Sequence, residues 1–321
     1  MVYDCIPFFN EIDILKLRLH TLNDIVDRFV IEEATMTFSG EPKELVFQQN
    51  AYKFKEFLPK ITHIVVENTP AIAVTHERDY FQKNRLIEGL QDATEDDIIL
   101  FGDCDEIPYP EALKSIINSF DKTKVYHLAQ RNFYAFMNME ESSGTLMSIT
   151  GEFPEIPTQE RKWLGTKVTS KQNIPAEGIV RLRDLVPPTD PRSVRVADGG
   201  WHFGYMGGEH ELNAAKRIGV KVKAAAHDEY NDAEILRETM DHLLLGRDIF
   251  GRDASFTQTQ IDESYPTYLL EHIEEHRHLI LPPVTVMQRI AARWDLSAGR
   301  FIRKIVRKIN RSVNRVTSNA I

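Results

Sequence analysis

The sequence predicts an α/β fold, a mostly parallel sheet flanked by helices, and three observations carry that expectation. Short apolar runs alternate with amphipathic helical stretches across residues 1–120. Two of those runs end in acids, Glu32-Glu33 and Asp103-Cys104-Asp105-Glu106, which suits the carboxyl rim of a parallel sheet better than a core. Proline follows the second acidic run twice, at Pro108 and Pro110, and the latter is placed to open a helix.

Taken in order, Val2 to Phe9 reads as a strand, and Glu11 to Leu22 as a helix with Ile12, Leu15, Leu19 and Leu22 on one face. Arg28 to Glu33 reads as a second strand, Thr35 to Pro42 as a loop and Lys53 to Leu58 as a short helix. A third strand covers Ile61 to Glu67. A helix from Thr75 to Leu90 has a stripe of Tyr80, Phe81, Leu86, Ile87 and Leu90. The fourth strand is Ile98 to Gly102. Beyond Lys124 the pattern turns to strands and loops, with Val125 to Ala129, Phe133 to Met137, Lys167 to Ser170 and Ile179 to Leu185 read as extended. An aromatic, glycine-rich block, Gly199 to Gly208, precedes helices expected over Glu209 to Ile218 and Asp232 to Leu245. With no clean linker, residues 1–286 are expected to form one domain, nucleotide-binding over about 1–123 and acceptor-binding over about 124–286, with 287–321 as a tail.

The chain has 321 residues, 42% of them hydrophobic and 27% charged, an ordinary globular composition. A net charge of −9 argues against a general nucleic-acid binder. Cys5 and Cys104 both fall in or beside apolar runs, so buried reduced thiols are expected, which fits a reducing compartment. No signal peptide or membrane-spanning segment is read, and the expected location is cytoplasmic. Charge is uneven: residues 287–321 carry nine Lys/Arg and one acid, a net of +8, which leaves −17 on the rest. Phe301, Ile302, Ile305, Val306, Ile309 and Val313 recur at helical spacing among those basic residues. The tail therefore reads as a basic amphipathic helix, packed on a protein surface or lying on an anionic membrane.

The chemistry concentrates at Asp103-Cys104-Asp105. An acid–x–acid pair alone is common, a solvated turn being its plain reading. After a buried strand and a glycine, it suits hard oxygen ligation of Mg²⁺ or Mn²⁺, completed by phosphate oxygens. Such a metal would stabilise a leaving diphosphate, as nucleotide-sugar transfer requires. Gly200-Trp201-His202-Phe203 reads either as an aromatic core strand or as a site wall, with His202 a further metal ligand and Trp201 or Tyr205 stacking on a sugar. Glu209 is either a first-turn helix acid or the general base for an acceptor hydroxyl, with His210 and Glu211 as rivals. Arg78, Arg85 and Asn84 lie either on a solvated helix face or where they hold phosphates and the uracil edge.

These blocks, in this order, resemble glycosyltransferase family 17. The resemblance rests on Pro7-Phe8-Phe9-Asn10-Glu11 with Asp13 and Leu15, Val30-Ile31-Glu32-Glu33 with Thr37 and Gly40, Asp103 to Pro108, and Gly200 to Phe203. Further matches are the Glu77-Arg78 to Asn84 helix, His227 to Tyr230 and Gly246 to Arg252, so it covers about residues 3–252. It implies a GT-A-like, Rossmann-related fold, a UDP-sugar donor (UDP-N-acetylglucosamine by analogy) and transfer with inversion to a carbohydrate acceptor. Asp103 and Asp105 match the family's acidic motif and Glu33 its strand-end acid. The combined expectation is a metal-dependent glycosyltransferase. Asp103, Asp105 and His202 hold the metal, Phe8, Glu33, Arg78, Asn84 and Asp103 hold the donor, and Glu209 acts as base. A nucleotidyltransferase or metal phosphohydrolase, and an inactive carbohydrate-binding protein, are the alternatives.

Overall fold

The computed structural model describes residues 1–70, 75–146, 153–157, 160–208, 213–224 and 233–298. Strands β1 (Val2–Pro7), β2 (Arg28–Ala34), β3 (Ile61–Val66) and β4 (Ile98–Phe101) form a parallel block in the order β4-β1-β2-β3. Helix α1 (Ile12–Leu22), the short α2 (Val46–Asn50), α3 (Thr75–Asn84) and α4 (Pro110–Asn118) flank it. Side chains alternate across the sheet as strand geometry requires. Ile6, Phe29, Ile31 and Leu100 face one core with Leu15, Leu19 and Leu22 of α1, whereas Cys5, Val30, Ile99 and Phe101 face another with Leu86 and Leu90. The two cysteines are free and buried in different cores.

The expectation of a mostly parallel sheet is corrected: the ten-stranded sheet is mixed. Strand β8 (Trp163–Ser170) runs antiparallel beside β4, followed by β6 (Val125–Tyr134), β7 (Met139–Glu141) and β10 (Phe256–Gln258), all in antiparallel pairs. Strand β9 (Ser193–Gly204) pairs parallel with β6 and antiparallel with the short β5 (Glu106–Pro108). Residue periodicity fixes which side of a strand is buried but carries no information on its direction, so this half of the sheet was not orientable from the sequence.

Further segments differ from their expected form: in place of a short helix over Lys53 to Leu58, 3₁₀ turns form over Ala51–Phe54 and Leu58–Lys60. The two runs within 125–137 are joined in the single strand β6, which has an irregularity between His127 and Ala129. Ile179 to Leu185 is not extended: Ile179–Leu182 makes a 3₁₀ turn that buries Ile179, Val180 and Leu182. A short apolar run is ambiguous between strand and turn by periodicity alone. The helix expected over Thr75 to Leu90 is α-helical only to Asn84, then tightens to 3₁₀ over Arg85–Leu90. Helices α5 (Ala214–Ala224) and α6 (Ala233–Leu244) pack with Tyr134, Phe136 and Phe256 in a third core at the β6–β10 end. A helix over 286–298 follows α7 (Thr267–Glu271) in the sequence.

Candidate active site

The carboxyl ends of β1 and β4 open into a cavity of about 410 Å³. Such a position is where open α/β sheets place ligands. Asp103, Cys104 and Asp105 lie on its floor, in the short link between β4 and β5. Gly102 must be small there, because a Cβ would fall 2.5 Å from the Thr166 hydroxyl. The link is held from three sides. The Asp103 N–H donates to Glu106 Oε2 at 2.9 Å, Phe203 N–H donates to the Asp105 carbonyl at 2.8 Å, and Arg18 from α1 donates to the carbonyls of Asp103 (3.0 Å) and Glu106 (2.6 Å).

The two acids of the motif face different partners. Asp103, 35% exposed, pairs with Lys83 Nζ at 3.0 Å and with Arg183 at 3.5 Å. Burial would raise its carboxyl, but Arg183 and Lys83 outweigh it and hold Asp103 well below the usual range. Asp105 is buried, with Oδ2 2.6 Å from Lys221 Nζ of α5 and Oδ1 3.8 Å from His202 Nε2. Here too burial raises the carboxyl, while Lys221 and then His202 bring it below the ordinary value. Lys221 also reaches Glu11 Oε1 at 3.3 Å. Glu106 is fully buried against Arg183 (2.7 Å) and the Trp163 indole N–H (2.8 Å).

His202 arrives here through strand register: β5 pairs with β9 so that Glu106 stands opposite His202. The Asn132 amide N–H₂ donates to Glu141 at 2.9 Å, which turns its Oδ1 toward His202 Nδ1 at 2.8 Å. That network assigns the proton to Nδ1 and leaves the Nε2 lone pair facing a carboxylate oxygen. Burial pushes the His202 pKa down, so the imidazole stays neutral at neutral pH. Two acceptors facing each other without a proton between them suit a cation. Among the described residues no three His, Cys, Asp or Glu side chains form a ready-made cage. Mg²⁺ and Mn²⁺ bound with substrate phosphates need only one or two protein carboxylates, so the residues present fit such an ion.

Around this floor the walls divide by chemistry. Phe8, Phe9, Met36 and Phe38 form an apolar end near β1 and β2, while Tyr134, Trp163, Tyr205 and Phe250 form an aromatic end near β6 and β9. Lys43, Lys83, Lys221 and Arg252 line the cavity with Glu11, Asp103 and Asp105, and each of the four is ion-paired, Lys43 with Glu33 at 3.6 Å and Arg252 with Asp248 at 2.6 Å among them. Tyr205 holds φ +65°, a left-handed conformation that is costly outside glycine and frequent at functional sites.

Of the residues singled out in the sequence, the structure brings Phe8, Asp103, Asp105, His202 and Tyr205 to the cavity. It does not bring Glu33, Arg78 or Asn84 to its wall. Glu33 accepts the N–H groups of Phe47 (2.9 Å) and Gln48 (3.3 Å) at the start of α2, because it shares a strand face with Ile31 and Phe29. Arg78 Nε donates to the Phe38 carbonyl at 2.6 Å, holding the loop after β2. Asn84 clasps the 3₁₀ turn through Glu177 O (3.2 Å) and Val180 N–H (3.1 Å). Trp201 is core, its indole N–H on Ser264 O at 3.0 Å, and Arg85 pairs with Glu88. Glu209, His210 and Glu211, and residues 299–321, lie outside the described residues. Sequence reasoning missed Lys83, which its i,i+4 spacing from Asp79 on the expected helix could have flagged. Arg183 and Lys221 carry no local signal.

Glu32, the neighbour of Glu33, is buried on the opposite face and its Oε1 has no hydrogen-bond partner. Burial lifts its pKa from the ordinary 4.5 to about 8, against partial opposition from Lys43 and Lys83. A raised folded-state pKa means that the native protein holds this proton longer than the unfolded chain, so its contribution is present below pH 4.5 and is lost as pH rises through about 8. Glu32→Gln is expected to flatten the pH dependence of the melting temperature across that window and to raise it by several degrees at the alkaline end. Thermal unfolding of both proteins from acid to alkaline pH checks this, and parallel curves would refute it.

The sequence pattern of glycosyltransferase family 17 matches residues 1–149. The chain is 26% identical over 161 residues to beta-1,4-mannosyl-glycoprotein 4-beta-N-acetylglucosaminyltransferase from Rattus norvegicus, covering 47% of this chain and 29% of the relative. The Homo sapiens protein of the same name is also 26% identical over 161 residues, 47% of this chain and 30% of the relative. The match thus spans less than a third of the length of these relatives. The family pattern contains the β1–β4 block and the Asp103–Glu106 link, whereas His202 and Lys221 lie beyond it.

Proposed function

We propose that this chain, which carries the glycosyltransferase family 17 pattern over residues 1–149, is a metal-dependent inverting glycosyltransferase with a GT-A-like fold. Its donor is a UDP-sugar, UDP-N-acetylglucosamine by similarity to the N-acetylglucosaminyltransferases, and its acceptor is a glycan or glycolipid hydroxyl. The observation that carries this reading is the Asp105 carboxylate facing the His202 Nε2 lone pair inside a cavity that four cationic side chains line. Asp105 and His202 would hold Mn²⁺ or Mg²⁺, which when bound supplies Lewis-acid stabilisation of the leaving diphosphate.

The rest of the work falls to the chain itself. Lys43, Lys83 and Arg252 present fixed positive charge to the phosphates. Phe8, Phe9 and Phe38 offer flat apolar surface for the base, and Tyr134, Tyr205 and Phe250 offer faces on which a sugar packs. Inversion by single displacement requires a base on the acceptor side. The lining carboxylates of Glu11, Asp103 and Asp105 are each engaged by a cation, so Glu209 remains the proposed base. The free, buried thiols of Cys5 and Cys104 suit the proposed cytoplasmic setting.

The test is a donor screen. Purified protein is incubated with UDP-, GDP- and CMP-sugars and Mn²⁺ or Mg²⁺, and free nucleotide is scored with and without EDTA. Metal-dependent release from a UDP-sugar is the expected result. Diphosphate release from a nucleoside triphosphate would favour a nucleotidyltransferase instead. Donor binding without turnover would favour a carbohydrate-binding protein.

A further inference from the structure

The helix over 286–298 has two apolar faces, and the described fold uses only one. Ala292 and Leu296 are buried against the body. On the opposite side Val286 (72% exposed), Met287 (73%), Ile290 and Trp294 (72%) face solvent. At about 100° per residue, positions 286, 287, 290, 291, 294 and 298 fall within one arc and are all apolar, with Ser297 the one polar residue inside it. The helix start is firmly made. Thr285 and Gln288 form a capping box, Thr285 N–H donating to Gln288 Oε1 at 2.8 Å and Gln288 N–H donating to Thr285 Oγ1 at 3.2 Å. The exposed face is therefore a designed surface of a capped helix rather than a frayed end.

Charge says what covers it. Arg289 and Arg293 are exposed and flank the apolar arc on one side, and Asp295 flanks it on the other. From residue 287 onward the sequence carries a net +8, against −17 on the rest of the chain. We infer that the Val286–Met287–Ile290–Trp294 face of this helix docks on an anionic lipid surface. The apolar arc enters the headgroup boundary, and Arg289 and Arg293 meet the lipid phosphates. Trp294 is the side chain suited to that boundary. Among the described residues no helix is long and apolar enough to cross a membrane. The assignment leaves the cavity residues untouched and stands independently of the proposed activity.

Flotation of the full chain with vesicles tests it. Phosphatidylcholine vesicles, alone or with about 30 mol% phosphatidylglycerol, are compared at low and high salt. Binding is expected only to the anionic vesicles and is expected to weaken with salt. Ile290→Ser with Trp294→Ser is expected to weaken it by about ten-fold or more while the melting temperature stays unchanged, since both side chains are already exposed. Arg289→Glu with Arg293→Glu is expected to act in the same direction. In wild type, a blue shift of emission that vanishes in Trp294→Phe would locate the tryptophan in lipid. No binding to anionic vesicles, or undiminished binding of the serine double variant, would overturn the proposal. So would lipid-free self-association abolished by the same variant, which would make the face an interface between copies.

Discussion

Asp105→Asn is expected to lower metal-dependent nucleotide release by about 10³-fold, with little change in donor-independent stability. The geometry sets this size. Asp105 is the one motif acid that faces a second ligand atom, His202 Nε2, and asparagine keeps its shape while removing the charge that would hold the cation. Lys221 keeps Glu11 as a partner at 3.3 Å, so the substitution does not strand a buried ammonium. Asp103→Asn is expected to cost less, about 10- to 100-fold, because Asp103 faces Lys83 and Arg183 rather than the imidazole. Both acids are held below the ordinary carboxylate range, so neither is expected to set the acid limb of a pH–rate profile above pH 5. Steady-state release with a metal titration distinguishes the two variants. An Asp105→Asn protein with half the wild-type rate at saturating Mn²⁺ would refute the role given to this carboxylate.

Arg18→Met is the second large effect, and it reads on stability first. Arg18 is fully buried and grips Asp4 with two bonds, Nε to Oδ2 at 2.8 Å and NH2 to Oδ1 at 2.7 Å. Its remaining nitrogen clamps the carbonyls of Asp103 and Glu106. Removing one partner leaves Asp4 as an uncompensated buried charge, expected to cost about 3–5 kcal/mol and to lower the melting temperature by about 10 °C. Removing both, as Asp4→Leu with Arg18→Met, is expected to return much of that stability. The double variant still lacks the clamp on the 103–106 link, so its nucleotide release is expected to stay well below wild type even when it melts normally. Full activity in a stable double variant would show that Arg18 braces the core without positioning the site.

That pair also shows where sequence reading reached its limit. Arg18 sits on the same helical stripe as Leu15 and Leu22, a charged residue at a core position, and that conflict was visible. Its partner Asp4 lies in an apolar strand and presents the same conflict, yet nothing local says that the two resolve each other. Strand-end acids were legible in the same partial way. Glu32-Glu33 and Asp103 to Asp105 both close buried strands, but only the second set lines the cavity, because Glu33 alternates onto the face that packs under α2. On the helix before β4 residue type favours Arg78 and Asn84 for the site, although Lys83 is the residue that reaches Asp103. Rotation about a helix axis and the way the helix seats on its sheet decide between neighbours, and neither is encoded in residue type.

By itself the sequence determined the strand–helix alternation of the first 120 residues, the acidic link after β4 and the uneven charge of the last 35. These follow from local periodicity and composition, which act over a few residues at a time. The tertiary structure decided that the sheet is mixed, that His202 stands opposite Glu106, and that Lys221, Arg183 and Arg18 converge on one four-residue link. Those are contacts between residues 77 to 116 positions apart, or 85 in the case of Arg18, made by strand register and helix packing. Burial then turns them into chemistry, because only in a site shielded from water do such charges fix one another's protonation and leave an imidazole lone pair facing a carboxylate.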